Sequence, residues 1–355
     1  MNLLSGIIGN STWLIIIWLF SVPSKAQTWE NITRELYHHL EPDSGYASDP
    51  LFRKTGSFLL HPFTGDLYLA VNGQNPLYLS QDQGEEWIPL PDAYTEGRTF
   101  GGFSAGIFPR EGLKYFFTIV MHKNQQVRGL VLGPDDQVFS VIKKPASHHD
   151  GWSWGMPAGN NPQVILGKEH HAWTVLWLSK DGGESWEKLD FESRNPGVVT
   201  DSVFLAGNAD GIYRSIDQGK TWNKVSPYVI TGKTPVMHAE AVYWTTKKGL
   251  AKSPDQGKTW TLVGSPLPGS LYGPYFGIDQ HSMMVVAEDG FFILRDGSDL
   301  WQKVAPPFVI PEAAYEGAYN IRFSTNSYGW DQKRNLLYAA GLGADVYKLK
   351  IEAVE

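Results

Sequence analysis

An eight-residue pattern, Ser-x-Asp-x-Gly-x-x-Trp, constrains the fold of this chain more than any other feature. It runs from Ser80 to Trp87, Ser179 to Trp186, Ser215 to Trp222 and Ser253 to Trp260. A worn copy from Leu294 to Trp301 keeps Asp296 and the tryptophan but has neither the serine nor the glycine. Recurrence of this kind marks a chain built from one repeated supersecondary unit. The octet has the chemistry of a tight turn. Asp and Ser side chains bond nearby backbone amides, and glycine takes backbone angles closed to other residues. The tryptophan then starts the next strand and lies back over the turn as an apolar plug. Strand-like residues precede the copies (Leu77-Tyr78-Leu79, Val175-Leu176-Trp177-Leu178, Gly211-Ile212-Tyr213), and short mixed segments such as Trp186-Glu187-Lys188-Leu189 follow them. The octet therefore reads as a β-hairpin turn, a folding device with no chemistry of its own.

These octets resemble the Asp-box, or BNR repeat, of sialidases and other carbohydrate-active or protein-binding β-propellers. The resemblance implies a sialidase-like ring in which the box joins the third and fourth strands of a blade, on the face opposite the binding site. The box aspartates Asp181, Asp217, Asp255 and Asp296 follow one another at single-blade intervals, whereas the stretch from Asp82 to Asp181 suits two blades. A degenerate turn at Gly133-Pro134-Asp135-Asp136-Gln137 fills that stretch. After Trp301, strands over Tyr319 to Phe323, Leu336 to Ala340 and Val346 to Ile351 leave a last blade one strand short. Thr28-Trp29-Glu30-Asn31-Ile32-Thr33 reads like Lys258-Thr259-Trp260-Thr261-Leu262-Val263, so the N-terminal strand is expected to close that blade and remove two open edges. The expectation is an all-β, seven-bladed β-propeller, with six or eight blades as alternatives. No helical period of useful length interrupts the β-rich runs.

A repeat of this kind forms one domain, because blades cannot bury their faces separately. Residues 1–26 read as a signal peptide. An apolar run from Trp13 to Val22 precedes Pro23 and the small-x-small pattern Ser24-Lys25-Ala26, although no Lys or Arg occurs in the first twelve residues. Cleavage after Ala26 leaves residues 27–355 as a single propeller, secreted or periplasmic, with no membrane contact after cleavage. A retained anchor is the alternative, for which the run is short. The absence of cysteine fits a chain that uses no disulfides outside the cytoplasm. A net charge of −7 argues against nucleic acid as a partner, while a local cationic cluster would still admit an anionic ligand. A monomer is expected.

Strand order assigns the histidines to faces. His38 and His39 fall in the connector into blade one, His122 in a loop of blade two, and His148 and His149 in the connector into blade three. His170 and His171 fall in that blade's loop between second and third strands, and His238 near the top of the first strand of blade five. Only His61 and His281 map to the box face. Imidazoles gathered at one mouth suit proton transfer near neutral pH. The segments Ser147-His148-His149-Asp150-Gly151-Trp152 and Gly167-Lys168-Glu169-His170-His171-Ala172-Trp173 are expected to stand side by side.

Three functions are compatible with this pattern. The first is β-elimination, by a lyase or dehydratase, on an acidic, uronate-containing polysaccharide or oligosaccharide. The paired-histidine segments resemble those of propeller-type ulvan lyases. The catalytic set would be His149, His170, His148, His171, Tyr319 and Arg322, with His238, Arg98, Tyr272 and Glu316 contacting substrate. The second is a non-catalytic binding or assembly platform, as in sortilin-like receptors and photosystem assembly proteins. The third is a sialidase-like exo-glycosidase, but its Arg-Ile-Pro signature is replaced here by Phe52-Arg53-Lys54-Thr55. No cofactor and no protein-held metal is called for, and a structural or substrate-bridging divalent ion stays open. Composition excludes cysteine nucleophiles, and no phosphate-cradling loop occurs.

Overall fold

The computed structural model describes residues 28–40, 55–61, 64–71, 77–89, 99–107, 115–121, 127–132, 137–142, 152–154, 163–169, 174–182, 184–193, 195–231, 234–267, 272–276, 281–287, 290–304, 327–340 and 345–351. These form seven four-stranded antiparallel sheets. The described residues begin with β1 (Glu30–Asn31) and one short helix, α1 (Arg34–His39). Blade one holds β2 (Thr55–Leu60), β3 (Leu67–Val71), β4 (Leu77–Ser80) and β5 (Ile88–Pro89). Blade two holds β6 (Thr99–Ile107), β7 (Tyr115–Met121), β8 (Val127–Leu132) and β9 (Gln137–Ile142), all described by backbone alone. Blade three holds β10 (Trp152–Trp154), β11 (Ile165–Glu169), β12 (Thr174–Ser179) and β13 (Glu187–Ser193). Blade four holds β14 (Asn195–Val198), β15 (Phe204–Asn208), β16 (Gly211–Ser215) and β17 (Asn223–Ser226). Blade five holds β18 (Val236–His238), β19 (Ala241–Thr246), β20 (Gly249–Ser253) and β21 (Thr261–Leu262). Blade six holds β22 (Tyr272–Phe276), β23 (Met283–Ala287), β24 (Gly290–Leu294) and β25 (Gln302–Val304).

Blade seven is assembled from both ends of the chain, in the order β1-β28-β27-β26, with β26 (Ser327–Asp331), β27 (Leu336–Ala340) and β28 (Val346–Lys350). The closing strand expected from residues 28–33 is thus in place. Glu30 pairs with Lys348 and Asn31 with Tyr347. The innermost strand corrects the sequence reading: it is Ser327–Asp331, and Tyr319–Phe323 lies outside the described residues. Tyr328 and Trp330 are both buried there, and Asp331 ends the strand by accepting hydrogen bonds from the Arg334 amide (3.1 Å) and guanidinium (2.6 Å).

Among the described residues, blades four to seven bury both faces, as successive strand residues point to opposite sides. Leu336, Tyr338 and Ala340 of β27 pack toward blade one, while Leu337 and Ala339 pack toward blade six. Further apolar seams join blades three and four, four and five, and five and six.

The octets are the joints of these seams. Ser215 Oγ donates to Asp217 (2.8 Å) and accepts from the Gly219 amide (2.8 Å), while Asp217 also accepts from the Thr221 amide (2.9 Å) and hydroxyl (2.7 Å). The same bonds recur at Ser253, Asp255, Gly257 and Thr259. Gly219 has φ +83°, and a Cβ there would meet Leu189 of blade three at 2.6 Å. The tryptophans pack on the seam with the preceding blade: Trp87 on seven–one, Trp222 on three–four and Trp260 on four–five. In the worn copy Ser282 takes over the missing serine's task, its hydroxyl accepting from the Asp296 amide at 3.0 Å.

Candidate functional site

The strand order gives each blade two unlike ends. The turns between first and second strands, and between third and fourth, lie at the octet end. The loops between second and third strands, and the connectors between blades, lie at the other. His38 and His39 are exposed at the end of α1, in the connector from β1 to β2, as expected. His61, buried in the turn after β2, and His281, just before β23, lie at the octet end, also as expected.

His238 does not lie where the sequence suggested. It is the last residue of β18, beside the two-residue turn Ala239-Glu240, whose φ values are +45° and +63°. That is a tight hairpin at the octet end. The cause is an irregular first strand. Ile230 bridges Thr246, yet Val236 pairs with Tyr243, so one side advances farther than the other and carries His238 to the hairpin. Its ring is 8 % exposed and stacks on Phe276, with centroids 3.7 Å apart, in the seam between blades five and six. It is a packing residue, not a substrate contact at the opposite mouth.

Of the remaining sequence-derived candidates, His148, His149, His170, His171, Tyr319, Arg322, Arg98 and Glu316 lie outside the described residues. Tyr272 opens β22 at the end away from the octet, with its backbone paired to Val286. The strands that flank the paired histidines are described. Trp152, the first residue of β10, pairs directly with Glu169, the last of β11. The strand ends nearest in sequence to His149 and His170 are therefore neighbours, at the end of blade three farthest from the Ser179 turn. Lys168, one residue earlier on β11, is buried.

The octet end carries a site outside the sequence-derived candidates. A groove of ≈ 640 Å³ lies between blade seven and the first octet, with Thr28, Glu30, Gln83, Arg334, Lys348 and Lys350 on its walls. Lys348 is 9 % exposed and pairs with Glu85 (2.9 Å) and Glu30 (3.4 Å). Arg334 pairs with the fully buried Asp331 at 2.6 Å, and that hydrogen bond holds its guanidinium above the usual range. Lys350 is exposed, and no ion pair engages it among the described residues. Beneath them the Tyr338 hydroxyl is fully buried, with no hydrogen-bond partner among the described residues; burial, then Asp331, pushes it up. A signal for this site exists in the sequence: lysine replaces the octet's serine at 350. Among the described residues no group of three or more His, Asp or Glu could hold a metal ion.

No protein-family model matches the chain. A stretch of 96 residues, 25% of the chain, is 27% identical to the photosystem II assembly lipoprotein Ycf48 of Synechococcus sp. (strain CC9902), and covers 24% of that protein. Among solved structures, the chain is similar to the extracellular domain of the two component system BT4673 from B. thetaiotaomicron. The TM-score is 0.52 at 9% identity, over 93% of this chain and 40% of that one. It is also similar to an ancestral GH74 enzyme, with a TM-score of 0.46 at 14% identity, over 83% of this chain and 44% of that one. The chain thus spans less than half the length of either structure. The BT4673 likeness concerns the fold alone and agrees with a β-propeller. Among the described residues no helix is long and apolar enough to cross a membrane.

Proposed function

We propose that this propeller is carbohydrate-active, works at the end of the blades opposite the octets, and cleaves uronate-containing saccharides by β-elimination. The observation that carries this reading is the pairing of Trp152 with Glu169, which makes neighbours of the two strands flanking the histidine pairs. The octet end, by contrast, spends its serine, aspartate and tryptophan side chains on the seams.

Elimination next to a carboxylate needs three groups. A cation, here Arg322, neutralises the uronate so that the adjacent C–H becomes acidic. A base, an imidazole of the His148-His149 pair, takes that proton. The electron pair forms the C=C bond as the neighbouring C–O bond breaks, and the leaving oxygen receives a proton from an acid of the His170-His171 pair or Tyr319. No water is consumed, and the product carries an unsaturated uronate. The test is near-ultraviolet absorbance of that product from a uronate polysaccharide. Replacing His149 and His170 by alanine should lower turnover by about 100-fold or more. Release of saturated sugar would instead mean hydrolysis.

A second reading is favoured by one observation, the 96-residue likeness to Ycf48, a photosystem II assembly lipoprotein. On that reading the same mouth binds a protein segment without chemistry. A flat absorbance trace, together with capture of a polypeptide that depends on the same mouth, would select it. An Asp-box identity for the octets suits both readings, since the repeat serves architecture and folds host many functions.

A further inference from the structure

The end of the blades away from the octets carries a cationic turn that the elimination scheme does not use. In blade five, β19 and β20 are joined there by Lys247 and Lys248 alone. Both lysines are exposed, and neither forms an ion pair among the described residues. Hydrogen bonds fix their backbone. The Lys247 amide donates to the Val229 carbonyl (2.8 Å), the Lys248 amide to Thr246 Oγ1 (3.1 Å), and the buried Thr246 hydroxyl to the Gly249 carbonyl (2.8 Å). Lys248 Nζ stands 5.9 Å from the ring centre of Tyr228, a half-buried residue of the connector from blade four that packs on the four–five seam. A tyrosine face attracts an ammonium group and steadies it, while the ammonium keeps its hydrogen-bond donors for a ligand.

The charge around this turn favours an anion. At the opposite end the octets present Asp82, Asp181, Asp217, Asp255 and Asp296, so an anionic polymer meets like charges there. Blade four separates the lysine turn from the histidine-bearing blade three, and its corresponding turn is Ala209-Asp210. Asp210 is already engaged, accepting from Lys224 Nζ (2.8 Å) and from the Tyr213 hydroxyl (2.9 Å). A chain that crosses from blade three to blade five thus passes a neutralised carboxylate and arrives at two ammonium groups.

We propose that Lys247, Lys248 and Tyr228 form a second subsite of the same mouth, which holds uronate carboxylates of a polymeric substrate away from the histidine pairs. The identity of the ligand rests on the elimination reading above; the cationic turn does not. Each lysine offers a carboxylate a charge-assisted hydrogen bond. Because both stand on one rigid turn, the second contact adds little ordering cost to the first.

The test is calorimetric titration of the full chain with polygalacturonate, with neutral galactan as control and polyglutamate as a peptide probe. It uses the His149→Ala, His170→Ala background so that turnover does not intrude. Adding Lys247→Gln and Lys248→Gln should weaken polygalacturonate binding by at least about tenfold, with an unchanged melting midpoint. Lys247→Arg with Lys248→Arg should keep the affinity. Absence of binding by the parent protein, affinity indifferent to the glutamine changes, or equal binding of galactan overturns the proposal. Tighter binding of polyglutamate than of polygalacturonate would give the turn to an acidic polypeptide and overturn it as well. Lysine-dependent binding of polygalacturonate without unsaturated product from the wild type would sink elimination and leave the subsite standing. Product from the wild type with affinity indifferent to both lysines would do the reverse.

Discussion

The indole N–H of Trp87 donates a hydrogen bond to the carbonyl of Ile32 at 2.8 Å, so the first octet grips the strand that closes the ring. Trp222 and Trp260 turn the same N–H back to the glycine of their own octet, at 3.0 Å in each case. The difference follows from position. Blade one lies next to the closing segment, where Ile32 packs under the octet, and a Cβ on Gly84 would meet its side chain at 2.5 Å. Thr33 completes the latch, its buried hydroxyl accepting from the Val346 amide at 3.0 Å.

Closure should therefore contribute measurably to stability. Thr33→Ala strands a buried amide and is expected to cost about 1–3 kcal/mol. Trp87→Phe keeps most of the packing but loses the bond to Ile32, for about 1 kcal/mol. Urea denaturation of both variants checks the order; equal midpoints for wild type and Thr33→Ala would contradict it.

Gly219→Ala and Gly257→Ala should each destabilise, by about 1–3 kcal/mol, as overpacking does. Both glycines have φ +83°, and an added Cβ would lie 2.6 Å from Leu189 or 2.5 Å from Leu205. Gly297 also has positive φ, but a Cβ there meets nothing within 4 Å, so Gly297→Ala should cost less. Thermal midpoints of the three variants measure the contribution of the close approach.

His61 gives stability a pH dependence. Burial holds its imidazole below the ordinary 6.5, opposed by Asp66, and Nδ1 accepts from the Thr64 amide at 3.1 Å. The neutral form is the folded form, so below pH 6.5 the unfolded chain binds more protons. Stability from this group is complete above 6.5 and falls as pH drops toward the lowered folded value. His61→Asn keeps an acceptor and removes the titration, and should flatten that slope. Hydrogen bonds from the Thr221 amide and hydroxyl bring Asp217 down to about 2, so its contribution is lost only as pH falls from the ordinary 3.8 through about 2. Denaturation across both ranges separates the two groups.

The parts of the fold legible in the sequence are those fixed by local chemistry. Serine, aspartate, glycine and tryptophan at fixed spacing define the turn, and the likeness of Thr28–Thr33 to Lys258–Val263 reveals the closing strand. The position of His238 was not legible, because the irregular pairing between Ile230 and Val236 shifts it to the hairpin and no turn residue announces that shift. The start of blade seven was misplaced for a related reason: Tyr319–Phe323 is as strand-like in composition as Ser327–Asp331. The groove around Lys350 was not legible, since it forms only when β28 and β1 come together in blade seven.

The account is tested most directly by following unsaturated uronate from an acidic polysaccharide with three proteins: wild type, the His149→Ala, His170→Ala variant, and Trp222→Ala. Wild type should give product, the histidine variant at least about 100-fold less at an unchanged melting midpoint, and folded Trp222→Ala undiminished specific activity with a lowered midpoint. Full turnover in the histidine variant would contradict it.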